Sequence, residues 1–155
     1  MKLKTLSIVA LASLFIASCG GDKKDKSPAA KTEVKKEVKV ETPSDPMQDK
    51  GVGPVKSVTI GALDQALADK GHAIFKAKCT ACHKISKRYI GPALKGVTKK
   101  QSPEWIMNMI LNPEVMIVKN AKAKALLAEY NAPMANQNLT QEEARAIYEY
   151  FRTKE

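Results

Sequence analysis

The sequence predicts a small all-α domain of four to five short helices, carried behind an export address and a charged tether. Three observations lead there. Apolar residues between positions 56 and 155 recur at helical spacing, and no alternating strand pattern persists. Two helix starts are written out in capping residues, Ser102-Pro103-Glu104 and Thr140-Gln141-Glu142-Glu143. The stretches between the helical stripes carry Gly and Pro, which stop helices and turn the chain.

At the start of the chain, Lys2 and Lys4 precede a 12-residue apolar stretch, Leu6 to Ala17. It is shorter than the roughly 20 residues a bilayer-spanning helix needs, which excludes a polytopic membrane protein. A basic n-region followed by such a stretch marks an export signal over residues 1–18. Its end, Ile16-Ala17-Ser18-Cys19, resembles the lipobox of bacterial lipoproteins, in which the Cys becomes the new N-terminus and carries the lipid. A cleaved signal that leaves a free Cys19 is the competing reading. Residues 19–55 are expected to form a flexible tether: up to residue 54 they hold no aromatic residue, and eight Lys face seven acids between positions 19 and 50. Such a composition buries too little apolar surface to offset chain ordering. As a random coil, a tether of about 35 residues reaches roughly 30 to 35 Å, enough to move a domain between partners near one membrane or simply to give it clearance.

The folded part is expected over residues 56–155, with 16 basic and 9 acidic side chains, a net +7 of the chain's +10. A first helix spans about Asp64 to Lys78, with Leu63, Leu67, Ile74 and Phe75 toward the core. The helix capped by Ser102 buries Trp105, Ile106, Met109 and Ile110 until Asn112-Pro113 ends it. Lys122 to Tyr130 forms a short helix with Leu126 and Leu127 inward, and the last helix repeats apolar residues at Ala144, Ile147 and Phe151. A core this small is marginal by itself. Aromatics make up only 5% of the chain, so a group other than side chains has room in the interior.

Cys79-Thr80-Ala81-Cys82-His83 supplies the candidate for that group. Two thiols one short turn apart can each add to a vinyl group of one haem, and the adjacent imidazole reaches the iron from the same side. A thioredoxin-type redox pair wants a strand–helix context that is missing here. A structural zinc site needs four ligands, and only His72 could join these three, from an awkward place on the preceding helix. The three cysteines of the chain divide accordingly, Cys19 for lipid and Cys79 and Cys82 for haem, which argues against a disulfide scaffold.

Beyond that motif, residues 64–155 resemble a class I, single-haem cytochrome c domain. Gly71 and Phe75 stand before the attachment motif as in that family's N-terminal helix, and Ile147, Tyr150 and Phe151 are similar to its seam between terminal helices. Ile90 to Gly96 resembles the loop whose Pro carbonyl, here that of Pro92, accepts a hydrogen bond from the proximal imidazole and raises its basicity; without the upstream motif Gly91-Pro92 would be a simple turn. Four methionines are candidates for the opposite axial position. Met107 and Met109 lie within a helical stripe, Met116 follows Pro113 closely and is placed in a loop after it, and Met134 sits in Asn131-Ala132-Pro133-Met134, where the family carries its distal Met. The resemblance implies a cytochrome c fold around one covalent haem c, held by Cys79, Cys82, His83, Pro92 and Met134, with His83 and Met134 on the iron. Trp105 and Tyr89 could reach a propionate or simply pack.

The function the resemblance implies is single-electron transfer by a membrane-anchored carrier, between respiratory complexes or to a terminal reductase, facing the periplasm or the outer surface of the cytoplasmic membrane. No catalytic residues are expected: no Ser-His-Asp set, acid–base pair or phosphate-binding loop appears. A haem ligand sensor or peroxidase is the alternative if Met134 is not an iron ligand. The basic charge, with Lys76, Lys78, Lys84, Lys87, Arg88 and Lys95 near the motif, implies redox partners with acidic docking surfaces, a monomer, and no nucleic-acid partner.

Overall fold

In the computed structural model, which describes residues 45–155, Asp64 opens the first helix. Its carboxylate accepts the Leu67 N–H at 2.9 Å, and α1 runs Gln65–Lys78 with Lys76 and Lys78 in the last turn, where the helix dipole favours cations. A single 3-10 turn, Val97–Lys99, precedes Ser102, whose hydroxyl accepts the Trp105 N–H and caps α2, Pro103–Leu111. Asn120 caps α4, Ala121–Tyr130, through the Ala123 N–H. Thr140 and Glu143 exchange both hydrogen bonds of a capping box at the start of α5, Gln141–Arg152. Among the described residues there is no strand, as the all-α reading expects. The expected signal at 1–18, Cys19 and the tether up to residue 44 lie outside the described residues.

Two elements differ from the sequence reading. Pro113 does not open a loop; it occupies the first position of α3, Pro113–Lys119. A proline cannot continue a helix, but its fixed φ and missing N–H suit the first turn of the next one. Met116 is therefore helical and fully buried. Leu63, expected in the core, is exposed just before the Asp64 cap.

The most extensive helix pairing is α1 on α5. Gly71 makes it possible: a Cβ there would overlap the Ala146 carbonyl, so only Gly lets the two backbones approach so closely. Phe75 sits against Tyr150 and Phe151, with ring centroids 5.4 and 5.7 Å apart, the second pair edge to face. On α5 Glu149 is fully buried, with its carboxylate between the guanidinium groups of Arg145 and Arg152. Two cations compensate that buried charge.

The folded part also starts earlier than expected. Residues 49–55, assigned to the tether by composition, pack onto α2 and α3, so the boundary at 56 is set too late. Asp49 is buried, its carboxylate accepting both the Asn120 side-chain amide (2.8 and 3.0 Å) and the Gly51 N–H. Asn108 donates to the carbonyls of Lys50 and Val55 and accepts the Val55 N–H, all at 2.9 Å. Asn112 donates to the Val52 carbonyl, and the Val52 N–H donates to the Met116 sulfur at 3.0 Å. This strap continues to Gly61 and Ala62, whose carbonyls accept from Arg152 on α5.

Candidate haem-binding site

The end of α1 places the attachment residues. The chain turns there with the His83 N–H donating to the Cys79 carbonyl at 2.8 Å, then returns so that the Gly91 N–H donates to the Cys82 carbonyl at 2.9 Å. This loop lies tight against the imidazole: a Cβ on Gly91 would come within 2.5 Å of His83 Cε1. One residue on, the Pro92 carbonyl accepts from His83 Nδ1 at 3.3 Å. That bond assigns the proton to Nδ1 and leaves the lone pair on Nε2. Burial pushes the His83 imidazole below its ordinary range, with the Pro92 bond opposing, so the ring is held in the neutral form that ligates metal. Burial and the neighbouring Cys82 push the free Cys79 thiol up to about 11.

These residues form one wall of a cavity of about 540 Å³ that runs through the middle of the domain. Phe75 from α1, Ile147 and Phe151 from α5, and Ile106 and Ile110 from α2 line its apolar interior, and Leu126 and Leu127 close it from α4. Cys79, Cys82, His83, Pro92 and Met134 all line it. Met134 lies between α4 and α5, outside any helix. Of the other methionines considered, Met109 also faces the cavity, whereas Met107 and Met116 do not. Met116 is excluded by its surroundings as well, since its sulfur is sealed under the strap as an acceptor for Val52.

The remaining sequence candidates fall elsewhere. His72 is exposed on α1 and stacks on Tyr150 at 4.8 Å, away from the cavity lining. Among the described residues no group of three His, Cys, Asp or Glu side chains could hold a metal ion, so the zinc reading has no support. Trp105 lines the cavity, but its indole N–H donates to Asn120 at 3.1 Å and is not free for a propionate. Tyr89 lies outside the lining, half exposed beneath the Lys84 ammonium. Lys100, Gln101 and Lys122 line the cavity without having been singled out in the sequence, because no motif or periodicity marks them.

A helical domain with a covalent-attachment motif on the wall of an apolar central cavity defines a haem-carrying module, and comparison with known proteins agrees. The cytochrome c family profile matches residues 68–155, more than half of the chain. The cytochrome c from Rhodothermus marinus is similar in structure, with a TM-score of 0.64 and 48% identity over 65% of this chain and 88% of that one. An engineered form of that protein aligns with a TM-score of 0.63 and 47% identity over 65% of this chain and 89% of that one. Among curated proteins, a cytochrome c-553-like protein of Synechocystis sp. is 44% identical over 46 residues, 29% of this chain and 44% of that protein. Cytochrome c-551 of Stutzerimonas stutzeri is 48% identical over 42 residues, 26% of this chain and 40% of that protein. The aligned part thus spans less than half the length of those curated relatives.

This chain belongs to the cytochrome c family. Its cofactor is therefore haem c, attached covalently, and Cys79 and Cys82 stand in the attachment positions of the motif. The residues present fit that group: an apolar cavity of several hundred cubic ångströms, two cysteines on one wall and an oriented neutral imidazole beside them.

Proposed function

We propose that the chain is a single-electron carrier anchored by lipid on Cys19 outside the cytoplasm, passing electrons between respiratory complexes or to a terminal reductase. The observation that carries this reading is the convergence of Cys79, Cys82, His83 and Met134 on one apolar cavity, with the His83 ring already fixed by Pro92. Cys79 and Cys82 would form the thioether links to the haem, and His83 Nε2 and Met134 Sδ would bind its iron. Haem c bound there supplies a one-electron couple. With both iron ligands supplied by the protein, the charge would change without a ligand entering or leaving, and the Met would raise the potential relative to a second His. No carboxylate lines the cavity among the described residues, which favours electron carriage over acid–base chemistry.

Anchoring rests on the N-terminal sequence alone, and among the described residues no helix is long and apolar enough to cross a membrane. Mass spectrometry of the mature N-terminus is expected to find a lipid-modified Cys19. Docking is assigned to acidic partners through exposed Lys76, Lys78, Lys87 and Lys95. Lys84 and Arg88 are committed within the fold, Lys84 to the Thr80 carbonyl and Arg88 to Glu129.

The deciding experiment is optical. The oxidised protein is expected to show the weak band of iron–sulfur ligation, and Met134→Ala to lose it while keeping the haem. Survival of the band in Met134→Ala would move the ligand to Met109, the other thioether on the cavity. Absence of the band in the unsubstituted protein would favour a ligand sensor or peroxidase.

A further inference from the structure

The segment that carries Met134 has few bonds of its own. Between the end of α4 and the cap of α5, residues 132–139 make no backbone–backbone hydrogen bond among the described residues. Their hydrogen bonds to the rest of the fold come from Asn136, to the Leu111 carbonyl and the Glu114 carboxylate, both at 3.5 Å. The place of Met134 therefore depends on where α4 ends and α5 begins. The capping box fixes the start of α5. The end of α4 has no such device: the helix packs principally on α3, and its cap Asn120 is tied to Asp49 one helix length away, about 15 Å for ten residues.

One side chain reaches that end from the attachment loop. Arg88 lies between His83 and Pro92, where the Tyr89 N–H donates to the Gly91 carbonyl at 3.1 Å and the Gly91 N–H to the Cys82 carbonyl, so its base is firm. Its guanidinium lies over the Tyr130 ring, 4.2 Å from the centroid, and donates to the Glu129 carbonyl at 3.2 Å and the Glu129 carboxylate at 3.4 Å. Arg88 and Tyr130 both line the cavity. An exposed ion pair alone contributes little. Here the same cation also stacks on an aromatic face and bonds one of the last carbonyls of a helix, where the dipole favours positive charge. We infer that Arg88 is a positioning residue for the distal ligand: by clasping Glu129 and Tyr130 to the attachment loop it holds the last turn of α4, and with it Met134 four residues on, so that the thioether stays on the iron and outside ligands stay off. This rests on the Met134 assignment proposed above and adds what secures it. For an outside ligand to bind, Met134 must leave, and its segment moves with the end of α4. Releasing the clasp raises the population of that state and the apparent affinity of the outside ligand by the same factor.

Titration of the oxidised, haem-loaded protein with imidazole, followed by loss of the iron–sulfur band, tests this. Arg88→Leu is expected to keep the band without imidazole and to bind imidazole about fivefold more tightly than the unsubstituted protein. Arg88→Lys keeps a charge beside Glu129 but not the flat stack on Tyr130, and is expected to fall between the two. Lys99→Leu cuts another exposed ion pair, to Glu155 at 3.1 Å on the 3-10 turn that packs against α5, and is expected to leave the imidazole affinity unchanged. An unchanged affinity in Arg88→Leu overturns the assignment, and so does an equal rise in Lys99→Leu, which would report general loosening. A band missing from the unsubstituted protein, or surviving in Met134→Ala, overturns the ligand reading and the clasp with it. A measurement on the unsubstituted protein covers variants that fail to fold. The Asn131 N–H, bonded to the Leu127 carbonyl at 2.8 Å in the last turn of α4, is expected to exchange faster with imidazole bound, while the α1–α5 crossing stays protected. Equal protection of Asn131 with and without imidazole overturns the proposal, since Met134 would then leave without moving the helix end.

Discussion

His83 illustrates how much of the site depends on backbone rather than on other side chains. Its ring is oriented by one carbonyl, that of Pro92, and that carbonyl reaches it because Gly91 has no side chain. Gly91→Ala puts a methyl 2.5 Å from Cε1 and 2.8 Å from Nδ1, well inside contact distance. Neither the loop nor the ring can yield without lengthening the bond to Pro92. We expect Gly91→Ala to weaken the proximal ligand: a lower yield of haem-loaded protein, a reduction potential that differs from the unsubstituted form, and a melting temperature lower by several degrees, since about 1 to 3 kcal/mol of overpacking shifts a domain of this size by roughly that much. Pyridine haemochrome quantification together with calorimetry checks it. An Ala variant that loads and melts like the unsubstituted protein would show that the loop moves freely. The Gly-Pro pair could be read from the sequence only because the attachment motif stood eight residues upstream. Gln101 carried no such context and could not be read at all, since a glutamine before a helix cap has no local signature of burial.

At the scale of elements, the helices with written caps were legible and the strap was not. Ser102 and Thr140 each bond an N–H within three residues, so their information is local. The strap's information lies far away: Asn108 and Asn120 bond residues 53 to 71 positions earlier in the chain. With no helix or sheet to pair its backbone groups, residues 49–55 borrow side-chain amides from α2 and from the cap of α4, and nothing in their own composition announces that. Helix α3 was missed for a different reason, because Pro113 was read only as a stop. The strap's dependence on one side chain is testable. Asn108→Ala removes three hydrogen bonds and leaves the Val55 N–H and two carbonyls to find new partners beneath packed surface. The expected loss is about 3 kcal/mol, read as a lower denaturant midpoint. A further sign is selective: amide exchange should quicken over residues 50–58 while the α1–α5 crossing stays protected. Uniform loss of protection across the domain would instead mean that strap and helices unfold as one unit.

For the molecule as a whole, the charge is distributed so that it can act on encounter rather than on fold. Moving the boundary back to Asp49 adds one acid and one base, Asp49 and Lys50, so the folded part keeps the net +7 assigned to residues 56–155. The buried carboxylates draw on one exposed lysine, Lys50, which pairs with Glu104 at 3.7 Å; Glu149 is matched by Arg145 and Arg152, and Asp49 by amide donors, so none of them uses Lys87 or Lys95. Lys87 and Lys95, in the segment between the attachment motif and the 3-10 turn, are therefore left to solvent near the cavity. Such charges speed association with an oppositely charged surface, and the effect fades once the Debye length, about 8 Å at physiological ionic strength, is shorter than the approach distance that matters. Under the electron-carrier proposal, stopped-flow oxidation of the reduced protein by a separate acidic redox protein should slow by about tenfold or more between low and physiological salt. A neutral small-molecule oxidant should show almost no such dependence. Reversing Lys87 and Lys95 to Glu together should flatten the salt dependence with the acidic partner and leave the iron–sulfur band and the reaction with the neutral oxidant unchanged, since neither residue touches the cavity. A rate insensitive to salt would assign recognition to apolar contact at the Tyr89 and Ile90 edge, where both side chains are exposed beside the attachment loop.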